Sequence, residues 1–527
     1  VAAGDDPGAL LARYATILGD SMGARRPDRI PTGWCSWYSF FESAGAREVR
    51  SNLEASRQAG LEVGCFLVDD GHQRSLGDWL DTDRSRFPEG MAPLAEEIRE
   101  TGREAGIWVA PFGVGARSKL YEAHPDWMLR DEEDDPVVAW RHRRDTAFAL
   151  DLTHPEAQAW LEETFRTLRE WGYTFFKADF LYAGALPGRR HDPSQTRAQA
   201  LRRGLEIIRE AVGDGFVLGC GAPLWPSVGL VDGMRIGADV AAHWRPLWHD
   251  LAGPSAANAL RNTISRSFMH RRLWLNDPDC VLLRPRGHDS SLVLNETRTL
   301  ATVVGLSGGL TFSGDDLGRL NPARMRYLER MLPPYGEAAT AGDLFSRELP
   351  ALLVLPIVRP HGRWVLAAAI NWGDRTVTTT LDLARLGLDP GGLYHAYHYW
   401  RGRYLGRYQG TLELDRHQPH ETALLLFQEV ADRPQLLTST FHLTQGAVEI
   451  AAVQREAADG RERLRVSLAR PGRQSGSLVF AVPEPFRVLG GEVDGRRRGL
   501  RPSAPGVFSL GLTVDGAASV EVAFGKG

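Results

Sequence analysis

Cysteine is scarce in this chain: four residues in 527, at Cys35, Cys65, Cys220 and Cys280. That excludes a disulfide framework, and three of the four sit in strand-like segments, where a small buried thiol is common and a reducing compartment is favoured. No CxxC pair, HxH or HExxH pattern supplies ligands, so no metal and no cofactor are expected. A GxSxG elbow and a GxxxxGK[ST] phosphate loop are missing, and GVG at 113–115 lacks the remaining glycine of a dinucleotide fingerprint. Long apolar runs are missing too: no window holds eighteen consecutive apolar residues, and the N-terminus, which begins at Val1, carries no basic-then-apolar leader. A cytoplasmic location is the expectation. Neither sign of charge dominates, with 62 Lys and Arg against 66 Asp and Glu for a net charge of −4. Without a basic footprint, neither nucleic acid nor a membrane surface is expected as a partner, and the local runs at 141–144 and 496–498 read as solvated loops.

What the chain does have is a βα rhythm. At 527 residues it is too long for one core, so two or three domains are expected. From about residue 31 to 316, short apolar runs alternate with amphipathic stretches, the pattern of repeated βα units. Eight strands are read at 32–37, 65–70, 106–111, 173–180, 216–221, 234–240, 272–277 and 310–316, the number that closes a (β/α)8 TIM barrel. Helical spacing marks 46–59, 92–101, 156–171 and 196–211 between them. An acidic run at 131–135 in the long loop after strand three reads as solvated surface. Beyond about residue 334 the texture becomes short strands and turns. The expected organisation is a catalytic barrel at 1–335, an antiparallel β-sandwich at 336–432 and a second small β domain at 433–527.

Carboxylates stand where the strands stop. Asp69 and Asp70 end the second strand, Asp179 the fourth and Asp239 the sixth. An apolar strand has no folding reason to finish on an unpaired charge, whereas the C-terminal rim of a parallel barrel is where active sites are built. Retaining glycoside hydrolysis needs two such groups about 5 to 5.5 Å apart, one a nucleophile and one an acid/base. Asp179 is the nucleophile candidate, because Lys177 lies two residues earlier on the same strand face and an ammonium there keeps the carboxylate charged; a Lys–Asp pair capping the strand is the plainer alternative. Asp239 follows Arg235 by four residues and precedes a loop with Trp244 and Trp248, whose apolar surroundings would help an acid keep its proton; a helix N-cap is its plainer alternative. Asp69 and Asp70 suit vicinal sugar hydroxyls if the strand has ended at Gly71, with a divalent cation as the rival ligand. With fifteen tryptophans, several beside polar strand ends, stacking on a ring-shaped ligand also becomes an expectation.

The motifs GWCSW (33–37), FLVDDG (66–71), LGDW (76–79), RFPEGM (86–91), HPDW (124–127), LDLTHP (150–155), FKADF (176–180) and RIGADV (235–240) together resemble the α-galactosidase clan of glycoside hydrolases. Within it they are most similar to family 36, the microbial melibiases and raffinose-synthase relatives. The resemblance implies a (β/α)8 barrel and a retaining, exo-acting α-galactosidase with Asp179 as nucleophile and Asp239 as acid/base. It further implies that Asp69 and Asp70 bind the hydroxyls at carbons 4 and 6, that Trp34 and Trp79 wall the pocket, that Lys177 and Arg235 contact the sugar, and that Cys220 lies near the 2-hydroxyl. A third-strand-loop arginine is implied among Arg141, Arg143 and Arg144.

Two departures stand out. The family's N-terminal β-sandwich is not seen before the barrel, which points to a truncated or processed chain. GAPLWP (221–226) replaces a glycine-rich stretch after Cys220, which admits an α-N-acetylgalactosaminide or another α-glycoside. The expected partner is a small α-galactoside or oligosaccharide, with a homo-oligomer possible. Transglycosylation of the raffinose-synthase type and a catalytically silent carbohydrate-binding protein are the alternative activities.

Overall fold

The computed structural model describes residues 4, 6–142, 145–247, 253–287, 289–458 and 460–526. Eight parallel strands run β1 (Thr32–Cys35), β2 (Cys65–Val68), β3 (Glu104–Val109), β4 (Tyr173–Ala178), β5 (Phe216–Gly219), β6 (Gly233–Arg235), β7 (Leu275–Asp277) and β8 (Thr311–Ser313). Their spatial order is β7-β6-β5-β4-β3-β2-β1-β8. The ring is completed by the Leu310 N–H, which donates to the Asn276 carbonyl at 2.9 Å. Six of the strands fall inside the segments read above, while β3 and β6 overlap theirs and start two residues and one residue earlier; each is buried almost end to end, as strands covered on both faces must be.

The helices follow the apolar spacing. Ala46–Gln58, Met91–Glu100, Pro155–Glu170 and Arg197–Val212 lie within two residues of the expected spans. Pro155 opens its helix at the first position, where its missing N–H costs nothing. Thr196 and Gln199 close a reciprocal capping box on the next one. The pattern assigns nothing before residue 31, yet Pro7–Ser21 is a helix, capped by the Asp6 side chain on the Gly8 and Ala9 N–H groups at 2.8 and 3.1 Å. It docks through Gly19, where a Cβ would sit 2.1 Å from the Arg272 carbonyl oxygen. The acidic run at 131–135 folds into a tight turn on the Asp131 carboxylate and stays exposed. No described helix is long and apolar enough to cross a membrane.

Beyond the barrel, a six-stranded antiparallel sheet includes Leu352–Arg359, Gly362–Ile370 and Thr422–Glu429, beside a two-stranded sheet of Val377–Asp382 and Thr411–His417. The two-residue period of a strand lets this sheet serve two cores. Leu353, Leu355 and Ile357 join the core of the barrel, while Leu352 and Val354 face a second cluster with Val365, Ala367 and Ala369. A last antiparallel sheet is built on the long pair Arg461–Ala481 and Val507–Lys526 and encloses a third core. Arg470 ties it to the barrel by donating to the Leu332 and Glu329 carbonyls, each at 2.7 Å.

Six imidazoles are sealed among the described residues, and burial acts most strongly on five of them, His72, His270, His395, His398 and His442. Burial pulls each far below its ordinary value, to about 4, 4, 4, 3 and 3. An unfolded chain takes up these protons near pH 6.5 and the folded one does not, so their contribution to stability is present above that pH and is lost as pH falls toward 4. Asp277, Asp279, Asp315, Glu329 and Glu449, pushed up by burial, act in the opposite sense and offset part of this loss. The thermal midpoint is therefore expected to drop by about 10 °C or more between pH 6.5 and 4. A differential scanning calorimetry series that rises over that interval would show the buried carboxyls, not the histidines, in control.

Candidate active site

One rim of the barrel collects the charge. Asp69 and Asp70 follow β2, Asp179 follows β4, Cys220 follows β5, Arg235 ends β6 with Asp239 four residues on, Asp277 ends β7, and Asp315 follows β8. All stand at the C-terminal end of parallel strands, where the loops that shape a barrel's site converge.

Asp179 is only partly buried and both of its oxygens are held. The Trp108 indole N–H donates to Oδ2 at 3.0 Å, and the Phe180 backbone N–H donates to Oδ1 at 2.7 Å. Phe180 takes a left-handed conformation, φ 51°, which turns the chain away at once into a short helical segment and leaves the carboxylate at the strand tip. Across from it, Gly221 has φ 55°, and a Cβ there would lie 3.2 Å from Asp179 Oδ1. Residue 221 thus favours glycine for conformation and for space.

Lys177 does not pair with Asp179. Its ammonium binds Asp69 Oδ2 at 2.8 Å, with both side chains buried. Burial alone would pull Lys177 down, but Asp69 in contact, with Asp179 adding at longer range, holds it above its ordinary value. Asp69 is fixed from further sides: Cys35 Sγ lies 3.3 Å from the same oxygen, and its own N–H donates to Ser36 Oγ at 2.9 Å. A divalent cation at Asp69 would have to displace this ammonium, and among the described residues no group of three His, Cys, Asp or Glu is arranged to hold a metal.

Asp70 turns the other way, because the strand ends at Val68 and Gly71 adopts φ 115° with Arg86 and Glu42 packed against it. Its Oδ1 accepts from Gln73 Nε2 at 2.7 Å, and it lines a cleft of about 630 Å³ with Glu42, Arg74, Arg117 and Asp145. Asp179 and Asp239 are not part of that lining. The two adjacent aspartates therefore divide the work: one is locked inward to a lysine, the other faces open space.

The surroundings of Asp239 correct an expectation. It does not sit in an apolar, tryptophan-lined pocket: its side chain is 50% exposed and contacts the Arg235 guanidinium. Trp244 is buried and packs on His420 and Trp372 instead, and Trp248 lies outside the described residues. Arg235 is itself buried and also binds Asp279 Oδ2 at 2.7 Å. Burial would lower it, but Asp279, Tyr38 and Asp239 keep it above its ordinary value. Burial pushes the Asp279 carboxyl up to about 6, with Arg235 opposing and Asp239 and Asp277 reinforcing.

The tryptophans also need correction. Trp34 is fully buried, stacked obliquely on Phe40 and Phe66, with its indole N–H on the Asp315 carbonyl at 2.9 Å. It shares the strand face of Phe66, which is turned to the surrounding helices, and offers no surface to a ligand. Trp79 is equally buried and meets Trp108 edge-on at 5.8 Å, so it reaches the rim only by buttressing the ring that holds Asp179. Trp37, at the rim just past β1, is the partly exposed tryptophan of the GWCSW motif.

Cys220 is buried within the field of both Asp179 and Asp239, and burial, with Asp179 adding, raises its thiol well above the usual range. Of the third-loop arginines, Arg141 is exposed on Val138–His142, while Arg143 and Arg144 lie outside the described residues. Sequence reasoning missed Trp108, Tyr38 and Asp279. For Asp279 a signal was present, since NDPD (276–279) closes an apolar strand on acid as the other rim segments do.

Comparison with known proteins follows this geometry. The Melibiase family model matches residues 30–203, which spans β1 to β4 and includes Asp69, Asp70 and Asp179 but not Asp239. The solved α-galactosidase TtGalA from Thermus thermophilus, in complex with p-nitrophenyl α-D-galactopyranoside, is 36% identical over 68% of this chain and 69% of that one, with a TM-score of 0.57. The curated α-galactosidase of Escherichia coli is 32% identical over 168 residues, 30% of this chain and 22% of that protein, and α-galactosidase 2 of Pediococcus pentosaceus is 31% identical over 144 residues, 26% and 19%. The chain thus spans about a fifth of the length of the curated relatives it matches. AgaA from Geobacillus stearothermophilus, a GH36 α-galactosidase, aligns at 32% identity over 121 residues. With a relative more than one-third identical over two thirds of its length, the chain belongs to the melibiase family, in its GH36 branch.

Proposed function

We propose that the chain is a retaining, exo-acting α-galactosidase that needs no cofactor, with Asp179 as nucleophile and Asp239 as acid/base. The observation that carries this reading is Asp179 itself: a carboxylate at a strand tip, oriented through both oxygens by Trp108 and the Phe180 N–H. A nucleophile held this way enters the reaction without reorganising. A small α-galactoside is its partner, and the barrel to about residue 335 is the catalytic unit, supported by β modules at 336–432 and 433–527.

In the first step an Asp179 oxygen attacks the anomeric carbon while the bond to the aglycone breaks. The departing oxygen keeps the bonding electrons and takes the Asp239 proton. The product is a β-galactosyl ester on Asp179. In the second step water gives a proton to the Asp239 carboxylate, its oxygen attacks the same carbon, and Asp179 leaves with its electrons. Two inversions return the α configuration. Around the ring, Asp70 accepts hydroxyl hydrogens from the open side, and Asp69, pinned by Lys177, does so from the inner side. Cys220 stands near the 2-hydroxyl, and Arg235 holds the acid/base.

Hydrolysis of p-nitrophenyl α-galactoside, followed by proton NMR within the first turnovers, tests this reading. α-Galactose is expected as the first sugar released, mutarotating later. β-Galactose first would overturn retention. Galactose binding with no turnover of any α-galactoside, or turnover confined to the N-acetylgalactosaminide, would replace the activity proposed.

A further inference from the structure

We propose that Asp279 is the positioning residue for Asp239, acting on it from two sides. This rests on Asp239 being the acid/base. Asp279 Oδ2 accepts the backbone N–H of Val240, the residue after Asp239, at 2.7 Å, and binds Arg235 Nη2 at 2.7 Å; that same guanidinium nitrogen contacts Asp239 Oδ1. Asp279 therefore anchors both the main chain that carries Asp239 and the cation that touches its carboxyl.

The anchor is rigid. Asp279 Oδ1 accepts the Cys280 N–H at 2.7 Å, its own N–H donates to Asp277 Oδ1 at 2.9 Å, and the Tyr38 hydroxyl donates to Oδ2. The side chain is 3% exposed, as is that of Arg235. Arg235 Nε is buried with no protein partner, so the guanidinium is not saturated, and its buried carboxylate partner is Asp279. Removing one carboxylate partner of a buried cation leaves its charge uncompensated except by the acceptor that remains.

Charge decides the direction. With Asp279 ionised, Arg235 divides its field between two carboxylates; with Asp279 neutral, the whole of it falls on Asp239 and stabilises the ionised form. The groups facing Asp279 are Arg235 and Asp239 from β6 and its loop, Tyr38 from the segment after β1, Asp277 and Cys280 beside it, and Lys177 from β4 at longer range. Asp279→Asn leaves these groups in place and keeps the side chain's shape, while it removes the charge and replaces one of two acceptor oxygens, so that either the Val240 or the Cys280 N–H loses its partner.

The test compares leaving groups. A disaccharide α-galactoside needs a proton from Asp239 as its bond breaks, whereas α-galactosyl fluoride needs far less help. In Asp279→Asn, kcat/KM for the disaccharide is expected to fall on the order of 100-fold, toward the low end of a full acid–base loss, with fluoride hydrolysis changed by less than about 3-fold. The alkaline limb of the disaccharide pH profile, set by the proton on Asp239, is expected to move to lower pH by about one unit. Tyr38→Phe, which removes the hydroxyl that donates to Asp279 and accepts from Arg235 and leaves both charges, should show the same contrast at smaller amplitude, and it carries the test if Asp279→Asn does not fold. Equal losses on both substrates, or an unmoved alkaline limb, would overturn the role of Asp279. Failure of the unaltered protein to hydrolyse either substrate would instead sink the reading on which it rests.

Discussion

Asp179→Ala is expected to lower kcat/KM for α-galactosides on the order of 10⁵-fold, and sodium azide is expected to restore part of the turnover as β-galactosyl azide. The size follows from losing the covalent step outright, since no other carboxylate is held at that strand tip. The stereochemistry follows from where the missing group stood. Alanine leaves a small void on the β face of the anomeric carbon, bounded by Trp108, Phe180 and Gly221. Azide in that void attacks from the β face in a single inversion. Substantial activity in Asp179→Ala without azide, or α-galactosyl azide as product, would remove Asp179 from the role.

Asp239→Ala is expected to cost roughly 10²- to 10⁴-fold, with the loss growing as the leaving group becomes poorer. The nucleophile is intact in this variant, so an activated aryl galactoside still forms the β-galactosyl ester, and the slow step becomes its hydrolysis. Azide then enters from the α face, where water normally enters, and the product is α-galactosyl azide. The two variants should therefore give opposite anomers from one reagent. Matching anomers would mean that the two aspartates do not flank the sugar from opposite faces. Because Asp239 is half-exposed beside Arg235, its replacement should leave the thermal midpoint nearly unchanged.

The corrections share a physical origin. Trp34 and Trp37 belong to one short motif, and strand parity alone puts residues on alternate faces without saying which face opens on solvent. β1 stops at Cys35, so Cys35 faces the inside of the ring, Trp34 faces the helices around it and Trp37 lies beyond the strand end. Lys177 and Asp179 share a strand face, which places them together in the sequence, yet the ammonium reaches the buried Asp69 instead. A cation next to two carboxylates goes to the more desolvated one when geometry allows, and that choice depends on a neighbour 108 positions away. Trp244 likewise leaves the rim because His420 and Trp372 from the C-terminal sheet offer it a stack.

Local chemistry by itself determined the eight strands, their order in the chain and the acid ends of three of them. A strand buried on both faces must be apolar, so a charge at its end stands out without any knowledge of its neighbours. Closure of the barrel decided the rest: that Lys177 serves Asp69, that Asp279 on β7's loop clamps Arg235 and Val240 from β6, and that Trp108 holds Asp179. Those contacts join residues far apart in the chain. They are set by how the parallel strands stagger as the sheet rolls up, which no single segment encodes.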